Sequence, residues 1–246
     1  MKNMFSTIFV IIIFWMIISC VFNPAEYLFP SLNSVIKSFF DNYQVFLENA
    51  IYTILEVIIG FGIAIILGMS LAIIAIHYTY LEQILTFYAI ILKTIPIIAI
   101  APLLVLWFGH GMGSKIAAVA ITSFIPILIN ILSGAKNIIL KYKNIICLYN
   151  LSRWQRTKYF ILPGIMPYLI SALKISSSLA IVGALVSEFI SANKGIGYLI
   201  ISNYYSMNIS GVFVCIILSS VMGIGIYYAF DKLEKNVTFN IWELEL

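Results

Sequence analysis

The sequence contains few charged residues: Asp, Glu, Lys and Arg make up 10% of its 246 residues, whereas soluble globular domains carry about a quarter. This deficit, with 62% hydrophobic residues and a mean hydropathy of +1.06, excludes a fold whose surface is mostly exposed to water. The apolar runs are continuous, without the polar alternation that marks the strands of an outer-membrane barrel. We therefore expect an all-α polytopic membrane protein, because helices satisfy their own backbone hydrogen bonds in lipid.

Sequence features that mark enzymes and nucleotide-binding proteins are missing as well. The three cysteines, Cys20, Cys147 and Cys215, are isolated, so their spacing predicts neither a disulfide framework nor a zinc site. The sequence contains no G-x-x-x-x-G-K-[ST] loop to hold ATP phosphates, and no Ser/His/Asp arrangement or metal-ligand cluster. We predict no catalytic residue, no bound metal and no nucleic acid partner.

Several stretches are long enough to cross the hydrocarbon core of a membrane, which needs about 20 apolar residues. The six predicted spans are 5–22, 50–76, 84–108, 115–134, 166–190 and 209–230. We expect three regions: residues 1–49, with the first span and an external segment; a core at 50–230; and a cytoplasmic tail at 231–246.

The distribution of basic residues predicts the orientation of these spans. Cytoplasmic loops are enriched in Lys and Arg, and the loop at 135–165 is rich in both. Placing this loop and both termini in the cytoplasm leaves only Lys37, Lys115 and Lys194 outside. The sequence therefore predicts a multi-pass protein of the cell membrane with both termini cytoplasmic.

Two segments near the amino terminus have alternative interpretations. The apolar run at 5–22 fits a retained span or a cleaved secretory signal, and its length and single basic residue, Lys2, favour a retained span. The segment at 31–46 places Val35 and Phe39 among polar residues. That pattern fits an interfacial helix on the outer surface, and it fits an ordinary connector equally well.

Some residues inside the predicted spans are candidates for a polar pathway. A charge at mid-membrane costs at least about 2.5 kcal/mol, so ionisable side chains there face the bundle interior or water. Lys93 and Lys174 have the alternative of snorkelling to the membrane surface. Two prolines in the third span predict a bent helix, and small residues allow helices to approach closely. We expect His77 and His110 to be solvated. The pathway candidates are Glu56, Lys93, Pro96, Pro102, Ser176 and Glu188.

A short basic segment interrupts the apolar sequence before the fifth span. Its "SRWQ" matches a capping box, in which Ser152 accepts from the amide of Gln155 and the Gln155 side chain reaches back. We expect one short helix to end near Tyr149 and a second to start near Arg153. Asn150, between them, tolerates left-handed or turn geometry.

The second short helix is predicted to run to about Phe160 and to stop at Leu162-Pro163, because the residue before a proline is pushed out of the helical region. Its basic character and Trp154 have two explanations. The helix either lies on anionic lipid, with the indole at the headgroups, or docks an apolar face into a groove of a cytoplasmic partner.

The chain resembles the transmembrane permease subunits of binding-protein-dependent ABC importers, in the branch that imports sulfonates, taurine, nitrate and related compounds. The resemblance rests on "IPIIAIAPLLVLWFGHG", "LPGIMPYLISALKIS" and "VSEFISANKGIGYLI", which occur in the family's order. The family's loop signature is Glu-Ala-Ala, three residues, Gly, nine residues, Ile, one residue, Leu-Pro. Its spacing and its Leu-Pro are kept, but its Glu, both Ala and Gly are replaced, and the Ile position falls on Phe160. Glu56 stands where that branch commonly has a basic residue.

The resemblance implies a type I importer permease fold in a prokaryotic cell membrane. It implies a second copy of the permease, an ABC ATPase subunit that holds ATP and Mg, and an extracytoplasmic solute-binding protein, with membrane lipid as solvent. The chain itself would bind no cofactor. The loop would couple the permease to the ATPase through Asn144, Ile145, Ile146, Leu148, Asn150, Leu151, Trp154, Phe160, Leu162 and Pro163.

A second class of function is an ion-coupled secondary carrier. In such a carrier Glu56, Lys93 and Glu188 would form a relay of intramembrane charges.

Overall fold

A computed structural model describes residues 2–21 and 24–242, and these residues fold into helices without any β-strand. The helices are α1 (Lys2–Val21), α2 (Leu32–Asp41), α3 (Tyr43–Ala75), α4 (Thr79–Thr94), α5 (Ile97–Phe108), α6 (Met112–Lys141), α7 (Lys143–Leu148), α8 (Arg153–Arg156), a π-helical turn (Thr157–Ile161), α9 (Leu162–Ser191), α10 (Ile196–Tyr205) and α11 (Ile209–Trp242). The predicted all-α class is confirmed.

The helices that can cross a membrane are fewer than the sequence predicted. By length and composition, four qualify within the described residues: Tyr43–Ala75, Met112–Lys141, Arg153–Ser191 and Ile209–Glu234. The pair α4 and α5 makes a fifth only when it is counted as one broken span. Helix α1 covers residues 5–21 of the first predicted span, and residue 22 lies outside the described residues.

The bend predicted in the third span is confirmed, and it lies at Pro96. Helices α4 and α5 are inclined by 102° to each other. Ile95 takes an extended conformation, with φ −80° and ψ 120°, as expected for a residue before proline. Pro102 lies inside α5 without interrupting it. One proline therefore breaks the span and the other does not.

The predicted helix stop at Leu162-Pro163 is wrong, because the helix passes through this dipeptide into α9. In the π-helical turn before it, the Leu162 N–H donates to the Thr157 carbonyl, five residues back. The wider turn removes the clash that a proline ring makes with an α-helical carbonyl, so Pro163 is accommodated at the start of α9. The span therefore begins well before residue 166.

Small residues let α6 pack between α3 and α9 at the centre of the bundle. Gly134 of α6 lies against the Tyr168 ring of α9, and Gly60 of α3 lies against Val119 of α6. Alanines at 118, 172, 180 and 184 are fully buried in the same region. Close backbone approach is the main source of helix association in lipid, where apolar burial gives little driving force.

The segment at 31–46 forms a helix and is not an irregular connector. Ser31 caps α2 by accepting from the Ser34 N–H at 3.1 Å, and Val35 is buried beside Val214 of α11. Helix α2 ends at Asp41, so Phe46 already belongs to α3. At the other end, α11 extends to Trp242 through most of the predicted tail, and residues 243–246 lie outside the described residues.

Gly60 and Gly62 provide a matched test of the α3–α6 contact. A Cβ added at Gly60 would lie 2.6 Å from both the Ile116 carbonyl oxygen and Val119 Cβ, whereas one at Gly62 would meet nothing within 4 Å. We expect Gly60→Ala to lower the free energy of unfolding by about 1–3 kcal/mol through overpacking, and Gly62→Ala to leave it unchanged or raise it. Thermal unfolding of the full chain in detergent micelles measures both, and equal melting temperatures would contradict this packing.

Candidate functional site

Residues 143–161, here called the hairpin segment, form a helix, a tight turn and a second helical stretch. Helix α7 ends at Leu148, and Asn150 has a positive φ of 45°. Ser152 then accepts from the Gln155 N–H at 3.3 Å, while the Ser152 N–H donates to Gln155 Oε1 at 2.9 Å. The predicted capping box is confirmed, and it fixes where the second stretch begins.

The hairpin segment exposes large apolar side chains. Leu148 is 80% exposed and Trp154 is 69% exposed. Phe160, also predicted to anchor a partner, is half-buried, and its ring lies 5.3 Å from that of Tyr142. Of the other loop candidates, Asn144, Ile145, Asn150 and Pro163 are exposed, whereas Ile146, Leu151 and Leu162 are partly buried. Leu148 and Trp154 are therefore the apolar groups best placed to contact another surface.

His77, which follows the end of α3, contacts the hairpin segment. The hydroxyl of Thr157, a residue only 2% exposed, lies 3.0 Å from His77 Nε2 and donates to the Arg153 carbonyl. The Arg153 guanidinium lies over the Tyr78 ring at 5.6 Å. The expectation that His77 is solvated is wrong, because the turn after α3 brings it against residues 80 positions away.

Burial lowers the pKa of His77 below its ordinary value, and the positive charges of Arg156 and Arg153 lower it further. Because it accepts a proton less readily than an ordinary histidine, His77 is neutral at pH 7. In that state its ring can share a hydrogen bond with the Thr157 hydroxyl without adding a positive charge beside the two arginines.

Polar side chains from three long helices meet around Glu188, and we call Thr53, Glu56, Lys115 and Glu188 the buried polar cluster. Each is at most 4% exposed. Glu188 accepts from the Thr53 hydroxyl at 2.7 Å and from the Gly197 N–H. Thr53 in turn accepts from the Ile196 N–H at 2.8 Å. The first amides of α10 thus find partners on α3 and α9.

The space around Glu188 requires glycine in the turn before α10. Gly195 has φ 115°, and a Cβ there would collide with the Glu188 carboxyl group. Its N–H donates to Asn49 Oδ1 at 2.7 Å. Asn49, Thr53 and Glu56 follow each other at spacings of four and three, so one face of α3 carries all three.

The carboxyl groups of Glu56 and Glu188 lie close enough to interact with each other. Glu56 Oε2 is buried and has no hydrogen-bond partner among the described residues. The cluster therefore places two acidic groups together at depth and leaves one acceptor unused.

Lys115, predicted to lie outside the membrane, is buried in this cluster and is only 1% exposed. Its Nζ donates to the His110 carbonyl oxygen at 2.7 Å and to the Ser191 carbonyl oxygen. This role could not be predicted from the sequence, because Lys115 follows a glycine-rich turn typical of an external loop. His110, expected to be solvated, is exposed, with Nδ1 2.7 Å from Ser191 Oγ.

The remaining pathway candidates are not brought together. Lys93 and Pro96 line a cavity of about 320 Å³ beside the α4–α5 bend, here called the bend cavity. Thr122 of α6 and Val182 of α9 form its opposite wall. Ser176 is buried between α9 and α6 and donates to the Ser123 carbonyl at 3.2 Å, and Pro102 is exposed on α5.

Lys174 pairs with two acidic groups of α11, although snorkelling was one expectation for it. Its Nζ lies 2.7 Å from Asp231 and 2.6 Å from Glu234. Sequence reasoning missed both acids because it assigned them to the tail. The pairs join α9 to α11 at the end of the bundle near the hairpin segment.

Known proteins resemble this chain over most of its length. Residues 64–239 match the family model described as binding-protein-dependent transport system inner membrane component. The chain is 27% identical to a probable ABC transporter permease protein of Haemophilus influenzae over 232 residues, which is 94% of this chain and 95% of the relative. It is 30% identical to the formylaminopyrimidine transport permease protein ThiX of Halalkalibacterium halodurans over 210 residues, 85% of this chain and 84% of the relative.

A third relative is the putative aliphatic sulfonates transport permease protein SsuC of Bacillus subtilis. It is 28% identical over 166 residues, which cover 68% of this chain and 59% of the relative. The relatives thus share one protein class, while their names give different solutes.

Thr53→Val tests the buried polar cluster. The valine keeps the shape but leaves Glu188 Oε1 and the Ile196 N–H each without a hydrogen bond. An unpaired buried group costs about 1–3 kcal/mol, so we expect a marked fall in melting temperature of the full chain in micelles. Thr53→Ser keeps the hydroxyl and should lose only about 0.8 kcal/mol with its methyl group. Equal losses in the two variants would show that these bonds do not stabilise the fold.

The lowered pKa of His77 predicts a pH dependence of stability. The unfolded histidine, with a pKa of about 6.5, binds a proton more readily than the folded one. The contribution of His77 to the free energy of unfolding is therefore complete above about pH 6.5, and it is lost as the pH falls below that value. Denaturation of the full chain at pH 7.5 and 5.5 measures the loss. His77→Gln should lose less stability between these pH values than the parent chain, and an identical loss would exclude His77 as its source.

Proposed function

The chain belongs to the family of binding-protein-dependent transport system inner membrane components, and from this we propose that it is the transmembrane subunit of an ATP-driven importer. It is an ABC transporter permease of the cell membrane. In our proposal, a separate ABC ATPase subunit holds ATP and Mg and supplies the energy, and an extracytoplasmic binding protein delivers the solute. The absence of a phosphate-binding loop in the sequence agrees with this division of roles.

The hairpin segment is the observation that carries the proposal. It presents Leu148 and Trp154, 80% and 69% exposed, beside a turn fixed by the capping box. Exposed apolar groups on a basic, ordered segment suit an interface with a second protein, since aromatic anchors dominate the energy of such interfaces. We propose that this segment seats in a groove of the ATPase subunit.

Transmission from the hairpin segment would use the helix that follows it. Arg153–Ser191 forms a 39-residue helical run without a loop. In our proposal, ATP-driven closure of the ATPase brings the hairpin segments of two permease copies together. The run then moves as one element and changes which side of the membrane the pathway opens to.

The bend cavity is our proposed part of the solute pathway. Lys93 supplies a positive charge and Thr122 a hydroxyl at its wall, and the rest of the lining is apolar. This chemistry suits a small anionic organic solute, and an aliphatic sulfonate, as in the name of one relative, would fit it. A vitamin precursor such as the formylaminopyrimidine of another relative is the alternative solute.

We further propose six spans, with α1 retained and both termini in the cytoplasm. Helix α5 next to the bend cavity exposes Leu106, Trp107 and Phe108 by 77%, 66% and 57%. We propose that a second copy of the permease packs against this face and that lipid surrounds the remaining helices.

The ion-coupled carrier receives less support. Glu56 and Glu188 lie close together, as a relay would need. Lys93, however, lines the bend cavity and not the buried polar cluster, so the three groups do not form one chain.

Trp154→Ala tests the docking role of the hairpin segment. Because the indole is largely exposed and caps no helix, its removal should not unfold the spans. We expect at least tenfold weaker binding of the ATPase subunit, the loss typical of an aromatic hot spot, about 1.4 kcal/mol or more. Co-purification of the ATPase and ATP-dependent uptake in vesicles measure the effect.

Tyr205→Ala, which removes an aromatic side chain 79% exposed in α10, is the matched control and should retain ATPase binding. If Trp154→Ala retains the ATPase and transports like the parent chain, the hairpin segment is not the docking site.

A further inference from the structure

A second polar cavity lies between the ends of α3, α4 and α6 and the start of α8. Its volume is about 380 Å³, and its polar lining consists of His77, Thr79, Glu82, Lys136, Arg153 and Arg156. We call it the basic cavity. Leu148 and Trp154, the proposed docking residues, do not line this pocket, although two of its residues belong to the hairpin segment.

The charges of the basic cavity are not balanced within the chain. Lys136, Arg153 and Arg156 face a single carboxylate, Glu82, which leaves a formal excess of two positive charges when His77 is neutral. Within residues 2–21 and 24–242, neither arginine nor Lys136 makes a salt bridge within 4.0 Å. Like charges that line one cavity repel one another, so an anion between them would stabilise the arrangement.

A guanidinium nitrogen in this region lacks a hydrogen-bond partner. Arg156 Nε is a buried donor without an acceptor among the described residues. A buried donor without an acceptor is costly, and here it lies in a side chain that lines a cavity large enough for a ligand. Arg156 Nε is therefore an unused hydrogen-bond donor beside an excess of positive charge.

We propose that the basic cavity is a binding site for a phosphate group. Guanidinium groups present paired donors that match phosphate oxygens, and Lys136 adds a point charge from a third helix. The headgroup of an anionic phospholipid and free inorganic phosphate share this chemistry.

The position of the basic cavity suits a lipid headgroup. His77 lies two residues after the end of α3, and Lys136 lies near the end of α6. Both helices are long enough to cross the membrane, so the cavity lies where a spanning helix leaves the hydrocarbon. Clusters of basic residues at this level attract anionic lipid.

A bound phosphate would act on the hairpin segment directly. Arg153 and Arg156 form α8, the short helix that begins at the capping box, and Trp154 lies between them in sequence. A ligand that joins these arginines to Lys136 of α6 would hold α8 against the bundle. Phosphate binding would thereby determine how rigidly the exposed Trp154 indole is held.

The test uses the purified full chain in detergent micelles, without any ATPase, so its result does not depend on the proposed transport role. Native mass spectrometry measures the binding of phosphatidylglycerol, with zwitterionic phosphatidylcholine for comparison. Thermal unfolding in potassium phosphate and in potassium chloride of equal ionic strength measures binding of inorganic phosphate.

We expect Arg156→Gln and Lys136→Gln each to weaken phosphate-group binding about tenfold, the loss of one charge-assisted hydrogen bond. Lys141→Gln removes the same charge from an exposed position five residues further along α6, outside the cavity, and should leave binding unchanged. Glu82→Gln should strengthen binding severalfold, which keeps the test decisive if an arginine variant fails to fold.

If these variants change the binding of phosphatidylglycerol alone as expected, the site binds a lipid headgroup. If they change the binding of inorganic phosphate alone as expected, the site binds the free anion. The proposal is overturned if neither probe binds, if Lys141→Gln weakens binding as much as Lys136→Gln, or if no cavity variant changes the affinity.

Discussion

A buried interruption of a helix has to satisfy its polar groups from within the protein, because neither lipid nor a packed core offers hydrogen bonds to water. The turn before α10 meets this constraint through other helices: Asn49, Thr53 and Glu188 accept from three successive amides of residues 195–197. The hydrogen bonds of Thr53 and Glu188 join α3, α9 and α10. Lys115 adds α6 to the same group through the Ser191 carbonyl. The order of the bundle therefore depends on a few buried bonds as well as on close packing.

Features set by neighbouring residues could be predicted from the sequence. Helix-forming apolar runs, the capping box at Ser152 and the bend at Pro96 each follow from a few adjacent residues, and the structure has all three. The continuation of α9 through Pro163 could not be predicted, because the rule for prolines assumes α-helical geometry and a π-helical turn replaces it here.

Features that join distant residues could not be derived from the sequence. Glu56 and Glu188 were identified as charges at depth, but their proximity joins residues more than a hundred positions apart. Lys115 stands at the first position of a predicted span and His77 just after another, so both were assigned to water. Only the folded bundle brings Ser191 and Thr157 against them. Burial of a single side chain depends on which helices become neighbours, and one sequence does not contain that information.

The unbroken run Arg153–Ser191 has a thermodynamic consequence. Its 39 residues, at 1.5 Å each, span about 58 Å, with the hairpin segment at one end and Glu188 near the other. In the transport cycle proposed above this run moves as one element, and linkage between two sites that bias one equilibrium is reciprocal. If a partner bound at Trp154 stabilises one arrangement of Glu188, that arrangement stabilises the bound partner by the same free energy. Reporter groups at the two ends would then follow a single shared titration curve.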